Sequence, residues 1–312
     1  MKYCRIILAG WLLVVMGLTS SVRAVNIDPK FTQIVGQEGH ADRGNGVQHM
    51  RRFYSGRFNY YVDSALEAVP LIFEGLGPLG GPLVITVNIH EMIRQAMTAW
   101  GGSFFYRGPR LSEASVSAVD QGVQFHLQNG GGIHGAGVYG VTSLANNITG
   151  PAPTSITFIR DNLSEGIPSL YETMISDHYI ERGQTSIEAF ARMVIRLTVL
   201  HEIGHAWGLL HPDTQDHGNN DISLQGMSRI VLQGRGEYRP SIMIALQEDY
   251  FRTLSVHLGR PVIESDITLS ANDIEGARYM WNGWTYRTPS SWWNIFMAVC
   301  ITCRVRGPHD RT

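Results

Sequence analysis

Residues 201–213, HEIGHAWGLLHPD, place His201, Glu202, His205 and His211 within eleven positions. An α-helix advances about 100° per residue, so His201 and His205 return to nearly the same face, one turn apart, and both imidazoles can reach one metal ion. Glu202 lies beside the first histidine, where it can touch a metal-bound water without ligating the metal; that is the position of a general base. Gly208 follows the second histidine by three residues, and glycine tolerates the left-handed conformation that ends a helix and turns the chain. Such a turn brings His211 back as a third ligand. Three neutral imidazoles with an open fourth position describe a catalytic zinc site, since structural zinc is normally closed by four protein ligands. The alternative, a set of ordinary histidines on a buried helix, does not account for Gly208 and His211 at those offsets.

Positioning such ligands requires a rigid helix, and the sequence upstream supplies one. Thr185 and Glu188 have the spacing of a capping box, with Thr185 as N-cap. Phe190, Met193, Val194, Leu197 and Leu200 recur at helical spacing, and no proline interrupts residues 186 to 207. Ahead of this helix, VITVNI (84–89) reads as a strand and residues 90 to 100 as a helix. VQFHL, GVYGVTSL and ITFIR follow as further strands, the first two separated by the glycine-rich NGGGIHGAG. The connection of about 25 residues from ITFIR to the histidine helix is long enough to hold a short helix.

His201, Glu202, His205, Gly208 and His211 match H-E-x-x-H-x-x-G-x-x-H, and on these residues the chain resembles the metzincin metallopeptidases. RPSIMIAL (239–246) resembles that family's Met-turn, which implies that Met243 forms an apolar floor beneath the metal; alone, Met243 reads as an ordinary core methionine. LSANDIEGARYMW (269–281) resembles the closing helix of matrixins and serralysins, with Ser270 as N-cap and Asp273 completing its box. Ala245 stands where serralysins carry a tyrosine, so no fifth ligand is implied. The resemblance spans roughly residues 82 to 284 and is specific at these three stretches. It implies an α+β, metzincin-type zincin catalytic domain: a twisted mixed sheet packed on a long active-site helix, with a C-terminal subdomain below the cleft. The implied activity is that of a zinc metalloendopeptidase, with Glu202 as general base and a protein or peptide substrate extended along the strand edge at residues 138–144. Two other readings stand beside it: a secreted zinc-containing binding or adhesion module, and a catalytically inactive metzincin homologue.

The remaining bounds come from composition. MKYCRIILAGWLLVVMGLTSSVRA reads as a secretory signal peptide over residues 1–24, its apolar run from Ile6 to Leu18 being too short to span a bilayer that needs about 20 residues. Its removal leaves 22 basic and 27 acidic residues, without the basic stripe that nucleic acid binding needs. The expectation is a secreted, periplasmic or extracellular protein with no stable membrane anchor. Residues 25–81 read as an N-terminal extension or a pro-segment, 82–284 as the metallopeptidase-like domain and 285–312 as a tail. In that tail Cys300 and Cys303 read as a local disulfide or two buried thiols, and Cys4 leaves with the signal peptide. His126 and His134 flank the glycine-rich loop and read as solvated. DHGNND (216–221) lacks the ligand spacing of an EF-hand and reads as a surface loop, so calcium is left unassigned beside zinc.

Overall fold

The computed structural model describes residues 32–35, 57–103, 110–115, 122–130, 138–143, 154–207, 209–211, 230–233 and 239–282. The signal-peptide residues, Gly208, His134, DHGNND and the tail with Cys300 and Cys303 lie outside these. In chain order the strands and helices run β1 (Thr32–Val35), β2 (Arg57–Val62), β3 (Val69–Phe73), β4 (Leu83–Val87), α1 (Ile89–Ser103), β5 (Arg110–Glu113), β6 (Gly122–Gln128), β7 (Gly140–Ser143) and β8 (Thr154–Ile159). They continue as α2 (Arg160–Ser176), α3 (Ile187–Ala206), β9 (Leu209–Leu210), β10 (Ile230–Gln233), α4 (Gln247–Leu258) and α5 (Ala271–Asn282). No helix among the described residues is long and apolar enough to cross a membrane.

The 20-residue α3 carries buried side chains around most of its circumference, from Phe190 through Val194, Leu197 and Ile203. A helix that is apolar on nearly all sides belongs in a core. It packs against α1, whose Ile93, Met97 and Trp100 are buried and whose Trp100 Nε1 donates to the Leu200 carbonyl at 3.2 Å. Its N-cap is Ser186, whose hydroxyl accepts from the Ala189 N–H at 3.2 Å. The expected cap, Thr185, sits one residue too early: it is buried, and its carbonyl accepts from the Tyr171 hydroxyl at 2.8 Å.

Among the described residues the largest sheet has the order β5-β2-β6-β8-β7. β2 pairs in parallel with β5 and β6, and β6 with β8; β7 closes one edge antiparallel to β8, with Gly140 opposite Phe158 and Ser143 opposite Ser155. Buried Val123, Phe125, Ile156 and Phe158 give β6 and β8 the apolar character of strands covered by helices. Two smaller antiparallel sheets accompany it, β10-β1-β9 and β3-β4. Residues 57–73, read from sequence as part of an extension, supply β2 and β3 and so contribute to the sheets and the core.

The connection after β8 also differs from expectation. It holds not a short helix but the 17-residue α2, with Pro168 inside it. Pro168 and Gly166 hide this helix from a propensity reading. A Cβ at Gly166 would lie 2.5 Å from the Tyr139 hydroxyl, so close packing accounts for that glycine. The Ser270–Asp273 box is present as expected. The Asp273 N–H donates to Ser270 Oγ at 3.2 Å, and Asp273 Oδ2 accepts from the Ser270 N–H at 2.8 Å.

Asp273 is fully buried and also accepts from Ser241 Oγ at 2.5 Å and the Ile242 N–H at 3.2 Å, which ties the start of α5 to the turn before α4. Replacing it with alanine strands these buried donors. Asp273→Ala is expected to destabilise the protein by about 3–5 kcal/mol, read as a lower urea midpoint with an unchanged slope. Ser241→Ala, which removes one of those donors, should cost less.

Candidate metal centre

The end of α3 presents His201 and His205 on one face. The helix closes with the Trp207 N–H donating to the Ile203 carbonyl at 3.0 Å, and the chain reverses into β9, which pairs antiparallel with β1. This brings His211 back to the cluster. The three Nε2 atoms form a nearly equilateral triangle, 3.1 Å between His201 and His205 and 3.0 Å from each to His211.

The hydrogen bonds on the far sides of the rings decide what that triangle is. His201 Nδ1 lies 2.8 Å from the Ile242 carbonyl, and His205 Nδ1 lies 2.8 Å from the Leu209 carbonyl. A carbonyl oxygen only accepts, so both Nδ1 atoms carry protons, and in neutral rings both Nε2 atoms are bare lone pairs. Burial, and then the neighbouring His205, push the His201 imidazole down to about 3, and burial likewise lowers His211, so these rings resist becoming cations. Bare nitrogens crowded this closely repel unless a cation lies between them. Tetrahedral zinc with nitrogen ligands at about 2.0–2.1 Å sets those nitrogens roughly 3.3 Å apart, close to the observed spacing. The donor set therefore fits a divalent, nitrogen-preferring metal. Among the described residues it is the one cluster of three or more His, Cys, Asp or Glu side chains able to hold such an ion.

Glu202 is buried, with its carboxylate next to the cluster. Thr142 on β7 places its hydroxyl 2.7 Å from Glu202 Oε2 and 2.9 Å from the Glu202 carbonyl oxygen. Burial raises the Glu202 pKa above the usual carboxylate range, against the opposing pull of His205 and Thr142. β7 approaches so closely that a Cβ at Gly140 would lie 2.9 Å from Glu202 Cγ. These residues border a cleft of about 450 Å³ lined also by Tyr139, Leu170, Leu197 and Ile244. Chemically, the arrangement offers three nitrogen donors, an open side toward the cleft, and a carboxylate there to accept a proton or a hydrogen bond.

Met243 is buried beneath the helix, its N–H donating to Ser241 Oγ at 3.0 Å. A Cβ at Gly204 would meet Met243 Sδ, so the turn and the helix touch here and any side chain would have to displace the Met243 thioether. His126 is on β6, its Nδ1 3.9 Å from Asp63 Oδ2, and does not join the cluster. The sequence reading did not single out Thr142, Gly140 and the Ile242 carbonyl. Their partners are 41 to 62 residues away along the chain, and no local periodicity signals such contacts.

Comparison with known proteins changes how the whole chain is read. No family model matches it, and no curated protein matches it. Among solved structures it is similar to a chain of one described as the GM1 bound form of the ECX AB5 holotoxin. The TM-score is 0.62 and the identity 25%, over 81% of this chain and 89% of the other. The likeness thus covers most of both chains, which are of similar length.

The metzincin resemblance is corrected by this finding. It rested on three short stretches, which specify how a helix end presents nitrogens and how two turns are capped, but not the strand order β5-β2-β6-β8-β7. The likeness that spans the fold is to one chain of a structure described as a GM1-bound AB5 holotoxin. The metzincin-type zincin fold class is replaced by that likeness. The classification as a hydrolase, a protease of the zinc metalloendopeptidase type, is withdrawn with it.

Gly204→Ala tests the contact beneath the cluster. Overpacking against Met243 costs about 1–3 kcal/mol, partly offset by about 1 kcal/mol of helix propensity. The variant should melt at a lower temperature. Because the same turn carries the Ile242 carbonyl that orients His201, zinc affinity measured by competition with a chelator should fall roughly 10-fold.

Proposed function

We propose that the chain is a secreted, zinc-containing binding module that works as one component of an oligomeric, toxin-like assembly directed at a glycan-bearing surface. The observation that carries this reading is the likeness across 81% of the chain to a structure described as a GM1-bound AB5 holotoxin. His201, His205 and His211 hold the zinc, and Met243 forms the floor beneath it. Glu202, restrained by Thr142, borders the same cleft and would accept a hydrogen bond from a water or a ligand group bound there. Zinc bound at nitrogens that otherwise repel stabilises the native state, because the unfolded chain does not hold the three rings together.

The test uses native protein isolated from the medium of cells that secrete it, together with the subunits that accompany it. Metal analysis should give one zinc per chain, lost on His211→Ala. Light scattering should give a mass well above the 34.7 kDa of the single chain. The assembly should bind immobilised, lipid-free GM1 oligosaccharide. Zinc-loaded protein that remains a monomer and ignores the oligosaccharide would overturn the reading. So would zinc-dependent cleavage of a denatured protein substrate that disappears in Glu202→Gln.

A further inference from the structure

Far along the chain from the metal cluster, β3 and β4 form a hairpin with one face in the core and one outside. Val69, Leu71, Phe73, Ile85 and Val87 are buried, whereas Ile72 and Val84, directly opposite each other in the register, are 45% and 56% exposed. The connecting turn adds Leu76, 42% exposed, and Leu79, fully exposed. Seven large hydrophobic residues are exposed among those described, and four belong to this hairpin. From Val69 to Val87 the only charged residue is Glu74.

The turn is built to hold its shape. The Gly77 N–H donates to the Gly81 carbonyl at 2.7 Å, the Gly80 N–H to Gly77 at 3.1 Å and the Gly81 N–H to Pro78 at 3.1 Å. Pro78 and Pro82 have no N–H to satisfy. A Cβ at Gly77 would lie 2.4 Å from the Pro82 carbonyl oxygen, so this tight closure needs glycine. Leu79 sits at φ 58°, ψ 24°, a left-handed conformation that costs a leucine energy, and its side chain gains no contact in return.

We propose that this hairpin is an interfacial lipid anchor, its Leu76–Leu79 turn entering the headgroup–acyl boundary of a bilayer. Size separates this from a protein interface. Four side chains at roughly 100 Å² each present on the order of 400 Å², about half of the roughly 800 Å² per partner that a stable protein interface buries. Polarity agrees: the turn uses much of its hydrogen-bonding capacity internally, as entry into a medium without water requires. With no Lys or Arg on the hairpin and Glu74 as its one charge, attraction to anionic lipid contributes nothing, so binding should not need anionic lipid and should persist at high salt.

The experiment is sedimentation of the full secreted chain with phosphatidylcholine vesicles, with and without GM1, at low and high salt. Leu79→Asn is the informative variant, because asparagine accepts the left-handed conformation better than leucine and so should not unfold the turn. Wild type should sediment with plain phosphatidylcholine at both salt levels, and Leu79→Asn should reduce partitioning at least about 10-fold. Ile72→Thr/Val84→Thr should weaken it as well while preserving the strand. Zinc content and binding to lipid-free GM1 oligosaccharide should be unchanged in all variants, which separates failure of the anchor from failure of the functional reading. Equal sedimentation of wild type and Leu79→Asn would overturn the proposal. Sedimentation only with GM1 present, or a concentration-dependent dimer lost in Leu79→Asn without vesicle binding, would do the same.

Discussion

Three imidazole nitrogens 3.0–3.1 Å apart, two of them fixed as bare lone pairs by carbonyls on the far side of their rings, are the constraint around which the centre of this protein is organised. Such a triangle is unfavourable without a cation between its corners, and rotation of the rings would relieve it. The structure blocks that rotation by distant means. Ile242 orients His201, the Ser241–Met243 turn that carries Ile242 is pinned by Asp273, and Asp273 caps α5. Packing supplies the other side of the restraint, where Met243 fills the space left by the missing side chain of Gly204. Helix α5 therefore bears on ring orientation more than 60 residues earlier in the chain.

Much of the local architecture was legible in the sequence because it is encoded locally. The periodicity of Phe190, Val194 and Leu197 gave α3, and alternating apolar residues gave β4, β6 and β8. The Ser270–Asp273 pair gave a reciprocal cap. Thr185 against Ser186 could not be separated by spacing alone, because burial of Thr185 and the hydroxyl of Tyr171 decide it. Pro168 concealed α2 for an equally physical reason: helix propensity is a weak bias that tertiary packing overrides. The contribution of residues 57–73 to the sheets rests on pairings with strands beyond residue 80, which leave no mark at short range.

The same distinction explains why a motif at a helix end does not by itself fix a family. HEIGHAWGLLH describes a helix end and a turn. It does not describe a sheet in which β2 lies between β5 and β6, nor the surroundings into which the cleft opens. Likeness over most of two chains weighs strand order, helix placement and connections together. Thr142 and Gly140 illustrate the gap. Both lie on an edge strand, and both govern where the Glu202 carboxylate sits, the first through its hydroxyl and the second by having no side chain to obstruct it.

The separation between the three imidazoles and the groups that aim them has a consequence for the order of folding. His201, His205 and His211 span eleven residues, so the loop closure needed to bring them together is short and entropically cheap. The carbonyl of Ile242 and the carboxylate of Asp273 arrive through much longer closures, and the hydroxyl of Thr142 arrives with a mostly parallel sheet, which is intrinsically slow to form. The three imidazoles can thus come together at a frayed helix end before any of their orienting groups is in place. On the zinc-binding reading, metal met by such a chain would sit on unaimed rings and be held more weakly than in the native site, and that difference in affinity is what would stabilise the fold.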